Sequence, residues 1–163
     1  AEMKIRAGLE VAPETFIFSN DDVFCLAPIE IKNWYAGELK QTGRGPHQAN
    51  RDYTRKWLQS RNLPTLDYDM HTPMIMDRDK RKQVSDIITQ DHSREQFRTL
   101  LARSLYGSMF ITDPELRADH KIRGEEFVSN DIVSTSMFMA ELHELLPEPS
   151  QYEKDKGVTS WQN

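Results

Sequence analysis

The sequence predicts a mixed α/β fold, α+β in part, on three observations. Short apolar runs such as Phe16-Ile17-Phe18 stop at polar turns, as strands do. Other stretches carry apolar residues at helical spacing and are bounded by Pro, Gly or capping residues. The two kinds alternate along the chain, which marks α/β and α+β proteins. The 163 residues suit a single domain, expected over 1–153, with a polar tail over 154–163 anchored only by Trp161.

The elements follow in order. Residues 3–12 read as the end of a helix, with Ile5, Leu9 and Ala12 on one face and Pro13 as the stop. Residues 16–18 read as a buried strand, because the apolar run is continuous. Val23 to Leu26 returns to apolar. Ile29, Ile31, Trp34 and Tyr35 suggest a second strand or ribbon. Residues 42–50 read as a loop from their Gly, Pro and Asn content. Asn50 is then the expected cap of a helix through Asn62, which places Tyr53, Trp57, Leu58 and Arg61 at helical spacing.

Residues 66–76 look extended, and Pro73, which lacks a donor, restricts them to an edge strand or a crossing into a loop. Asp79 to Thr89 reads as a short helix. Ser93-Arg94-Glu95-Gln96 has the form of a capping box and opens a helix expected to end at Gly107. Short strands are expected around Gly124 within 119–133, and a last helix from Thr135 or Ser136 through Leu146.

Composition narrows the function. Hydrophobic residues are 37% and charged residues 29%, with mean hydropathy −0.70, yet three Trp, five Tyr and seven Phe can anchor a core, which argues against full disorder. Net charge is −5 and no basic arm or zinc-finger spacing occurs, so nothing points to nucleic acid. Cys25 is the only cysteine, which excludes an internal disulfide and favours a reducing, cytoplasmic setting. No apolar run approaches the ~20 residues of a membrane span.

Three segments carry chemistry. Asp21 and Asp22 follow an apolar strand, which offers hard oxygen ligands for Mg²⁺ or Mn²⁺ at the carboxyl edge of a sheet. The same Asn20-Asp21-Asp22 also fits a plain polar turn. In Asp67-Tyr68-Asp69-Met70-His71, an extended backbone puts Asp67, Asp69 and His71 on one face. That face suits a metal site or a general base. It equally suits a solvated edge strand with Tyr68 and Met70 turned to the core. Arg98, Arg103, Lys121 and Arg123 provide cations able to meet phosphate. They also fit surface charges paired with Glu95, Asp119 or Glu125.

Taken in order, FIFSNDDVFCLAP (16–28), LDYDMHTPMIMDRDK (66–80), FRTLLARSLYG (97–107), ADHKI (118–122) and LLPEPSQYE (145–153) resemble a family. The resemblance covers most of residues 14–153. It is to the Stealth-type sugar-phosphate transferases and related small glycosyltransferase-like proteins of bacteriophages. It implies a GT-A-like fold and metal-dependent transfer of a sugar or sugar 1-phosphate from a nucleotide-sugar donor to a hydroxyl acceptor.

By match, Asp21 and Asp22 sit at a Mn²⁺ or Mg²⁺ ion and the donor diphosphate. His71 belongs to the active centre as base or metal ligand. Arg103, with Arg98 as the fallback, stabilises phosphate charge, and Lys121 is a further basic residue near the end of the domain. Asp67 and Asp69, from the reading of their own segment, are expected to bind substrate. Only 20 residues precede Asp21, where such folds build their nucleotide-binding half. The chain is therefore expected to be the metal- and acceptor-side portion, with that half missing or on a partner chain. The alternative expectation is a non-catalytic binding or structural phage protein with a decayed transferase fold.

Overall fold

The structure is a computed structural model and describes residues 2–19, 23–25, 30–40, 44–92, 98–119, 127–129 and 144. In chain order the elements are α1 (Glu2–Leu9), β1 (Thr15–Phe18), β2 (Val23–Cys25), β3 (Trp34–Tyr35), α2 (Pro46–Gln59), β4 (Met74–Asp77), α3 (Arg78–His92), α4 (Ala102–Phe110), β5 (Glu115–Leu116) and β6 (Phe127–Ser129). This is mixed helix and strand, as the sequence predicts.

The chain divides into two compact units, residues 1–20 with 30–119, and residues 21–29 with 120–163. In the second unit β2 pairs antiparallel with β6, Phe24 opposite Val128. Of the helix expected from Thr135 or Ser136 through Leu146 only Glu144 is described, in helical conformation, and the tail 154–163 lies outside the described residues.

The first unit holds the core. Leu39, Leu58, Tyr68, Met74, Met76, Val84, Ile88, Leu100, Leu105 and Tyr106 are buried together, with Phe16, Phe18 and Trp57 packed at the margin. β1 and β4 form an antiparallel ribbon with Phe16 opposite Met76 and Phe18 opposite Met74. Those side chains face the core. Ile17 and Ile75 pair on the other face and are 60% and 40% exposed. The strand expected to be buried is thus half-buried. Among the described residues the ribbon has two strands, and its period-2 alternation gives it one core face and one outer face.

α2 begins four residues before the predicted cap. Gly45 precedes it with φ 122°, a left-handed value that suits glycine, and Pro46 occupies the first turn. Asn50 lies inside the helix instead. Its Oδ1 accepts from the Thr99 N–H at 3.0 Å. At the far end Asn62 takes φ 55° and the Leu63 N–H donates to Leu58 O at 3.1 Å, which closes the last turn.

α3 starts directly after β4, because Asp77 both ends the strand and caps the helix. Its Oδ1 accepts from the Lys80 N–H at 2.9 Å. The Asp77 N–H in turn donates to the Tyr106 hydroxyl at 2.7 Å, which ties β4 to α4.

The helix predicted from the capping box is corrected in both bounds. Ser93 to Gln96 lie outside the described residues, residues 98–101 are not helical, and α4 starts at Ala102. Side chains of α2 account for this: Asn50 takes the Thr99 N–H, and Thr54 Oγ1 takes the Leu101 N–H at 2.9 Å. These bonds hold the segment against α2 and off the helical path.

Gly107 does not stop the helix but sits inside it, against the ring of Tyr68, where any Cβ would overlap the ring carbons. Gly107→Ala should therefore destabilise the chain by about 1–3 kcal/mol, the usual range for overpacking. A lowered urea midpoint at unchanged slope is the expected reading.

Candidate functional site

The site is built on segment 67–73, which has no regular structure, bends at His71 and Thr72, and joins the neighbourhood of α2 to β4. Its start is held by main-chain bonds to residues 36–39. The Ala36 N–H donates to Asp67 O at 2.8 Å, the Asp67 N–H to Gly37 O at 2.9 Å, and the Leu39 N–H to Thr65 O at 2.8 Å.

Beyond Asp67, side chains of α4 replace a strand partner. The Tyr68 N–H donates to Ser104 Oγ at 3.1 Å. Arg103 Nη1 donates to Met70 O at 2.6 Å, and its Nη2 donates to Thr72 O. Two adjacent residues of α4's first turn therefore grip every second residue of the segment. Tyr68, Met70 and Thr72 are buried, whereas Asp69 and His71 retain partial exposure. Burial alternates over 68–72, but Asp67, expected on the outward face, is buried as well at 6% exposure, and no β-ladder runs over 67–73.

The side chains of Asp67, Asp69 and His71 meet partners from α2 and from residue 119. Arg51 Nη2 donates to Asp67 Oδ2. His47 Nε2 lies 3.5 Å from Asp69 Oδ2. Asp119 holds His71 at two points, Oδ1 accepting from the His71 N–H at 3.0 Å and Oδ2 meeting Nδ1 at 3.1 Å. An ionised carboxylate only accepts, so Nδ1 carries the ring proton and the basic lone pair lies on Nε2. The ring of Phe18, the last residue of β1, stands 6.0 Å from the Arg103 guanidinium carbon.

Electrostatics reflect burial opposed by partners. Burial pushes the Asp67 carboxyl up, against the pull of Arg51 and the Asp69 N–H. Burial pulls the Arg103 guanidinium down, while Asp69, Asp119 and Asp67 support its charge. Burial, with a smaller contribution from Tyr35, raises the Tyr68 phenol to about 12, so it stays protonated and supplies no base.

Of the predicted site residues, the structure brings Asp67, Asp69, His71 and Arg103 together. Arg98 is exposed on the non-helical segment ahead of α4. Asp21, Asp22 and Lys121 lie outside the described residues. Arg103 is 5% exposed, which corrects the picture of a surface cation.

Among the described residues no three His, Cys, Asp or Glu side chains converge to hold a metal ion. Asp67 is engaged by Arg51. His71 with Asp119 behind it has the carboxylate–histidine arrangement that commonly backs a metal ligand, and it is equally the arrangement of an oriented base.

Sequence reasoning missed Asp119 as a partner of His71, and missed Arg51 and His47. Asp119 sits inside the quoted ADHKI segment, yet 48 residues separate it from His71. Compared with protein-family models, curated proteins and solved structures, the chain matches none.

Asp67 supplies a prediction. Its raised folded value means that the ionised form is less favourable in the folded chain than in the unfolded one. Asp67 therefore supports folding below ~3.9, and this contribution is lost as pH rises through the raised folded value. Comparing Asp67→Asn with the native chain by urea unfolding at about pH 4 and about pH 7 should show the stability difference moving in the variant's favour at the higher pH.

Proposed function

We propose that this chain carries the metal- and acceptor-binding residues of a transferase. It would move a sugar or sugar 1-phosphate from a nucleotide-sugar to a hydroxyl acceptor. The observation that carries the proposal is the two-point hold of Asp119 on His71, at 3.0 and 3.1 Å. It orients one imidazole nitrogen as a base on a segment rich in carboxylates.

In this mechanism His71 Nε2 takes the proton of the acceptor hydroxyl. Asp119 keeps the ring in the required tautomer and stabilises the imidazolium that forms. Asp69, beside His71 in the segment and close to His47, offers an acceptor for hydroxyls of the incoming substrate. Asp21 and Asp22, which follow β1 in the sequence, are the proposed holders of Mn²⁺ or Mg²⁺, and a bound ion there would neutralise the donor diphosphate. Lys121 is assigned to the same anionic group, with Arg98 in reserve. The pattern of motifs quoted above supports the choice of donor class. Glycosyl transfer attacks the anomeric carbon and phosphoryl transfer attacks phosphorus, and the same base serves either.

Titration calorimetry and turnover assays with Mn²⁺ and UDP-, GDP- and CMP-sugars test the proposal. One of these donors should bind and turn over. Asp22→Asn should abolish the metal-dependent turnover, and His71→Ala should lower kcat by roughly 10²–10⁴-fold. Absence of both binding and turnover would favour a non-catalytic binding protein.

A further inference from the structure

We propose that Arg103 is a positioning residue for His71 and does not bind the donor phosphates. The family resemblance assigns the arginine at this place to phosphate. The geometry points to the main chain instead.

Arg103 Nη1 and Nη2 donate to Met70 O and Thr72 O, the two carbonyls that bracket His71. A guanidinium presents its donors as a rigid planar fork. Engaging both carbonyls therefore fixes their separation, and with it the span of main chain from the 70–71 peptide to the 72–73 peptide in which His71 lies. Asp119 then holds the His71 N–H and Nδ1. The ring direction is set from both sides, by a cation beneath the segment and a carboxylate beside it.

The guanidinium is out of solvent, and both of its terminal nitrogens are engaged on the segment. Ser104, the next residue, holds Tyr68 in the same way, so α4's first turn serves the segment as a unit. Lysine's ammonium has three donors but no fixed planar fork, so even this conservative change loosens the hold on the two carbonyls.

The inference rests on His71 being the base proposed above, and its test separates the two. In the ¹⁵N-labelled 163-residue chain, two-bond ¹H–¹⁵N spectra report the His71 tautomer, with His71→Gln identifying its signals. The native chain should show two well-separated ring nitrogens, Nδ1 protonated. Arg103→Lys and Arg103→Gln should draw the two shifts together as the tautomers exchange. Unchanged shifts in folded Arg103→Lys would overturn the proposal.

If both variants unfold, the native chain decides. The Arg103 Nη protons should give separate, slowly exchanging signals, and averaged, fast-exchanging signals would overturn the proposal. None of these readings needs turnover, so they stand apart from the transferase proposal. Where turnover occurs, Arg103→Lys should lower kcat on the order of 10²-fold with the donor KM unchanged. A raised donor KM at unchanged kcat would place Arg103 on the donor and sink the inference.

Discussion

The first unit depends on the grip of α4's first turn on residues 67–73. A buried segment must find a partner for each main-chain donor and acceptor. Here neighbouring main chain meets that need only at Asp67, through residues 36 and 37. Past that point Ser104 and Arg103 take over, with one hydroxyl and one guanidinium satisfying Tyr68 N–H, Met70 O and Thr72 O. Because these contacts fall on alternate residues, they also decide which face of the segment is buried. The close approach of Tyr68 to Gly107 belongs to the same arrangement, since a side chain there would push the segment off the helix.

That grip places a positive charge under a row of carboxylates. Arg103 loses solvation on burial, and Asp69, Asp119 and Asp67 offset the loss. Asp67 is further balanced by Arg51 from α2, and His47, near the start of the same helix, stands 3.5 Å from Asp69. The carboxylates that sequence reading offers as metal ligands thus serve in part as counter-ions to buried cations. A buried cation without such company would be costly, so the acidic face and the arginine beneath it stand together.

Much of the local structure is legible in the sequence. The Phe16-Ile17-Phe18 strand, a helix carrying Val84 and Ile88, and the alternation of Asp69 and His71 against Tyr68 and Met70 all follow from spacing over a few residues, whereas the burial of Asp67 does not. The misread boundaries share a cause. α2 starts early because Gly45 and Pro46 form a helix start inside a string that otherwise looks like a loop. α4 starts late because Asn50 and Thr54, on another helix, claim the Thr99 and Leu101 N–H groups. Gly107 looks like a stop signal, but the ring packed on it explains its presence.

The sequence by itself determined the mixed class of the fold and the common outward side of Asp69 and His71. These rest on periods of two and 3.6 residues and on capping chemistry, which operate within a turn or two of chain. Only the tertiary structure decided that Asp119 holds His71 across 48 residues, that Arg51 answers Asp67, and that Arg103 points inward to two carbonyls. The physical reason is range. A side chain's hydrogen-bonding capacity is written in its residue type, but its partner is chosen by packing, which brings distant segments within bonding distance only once the core has formed.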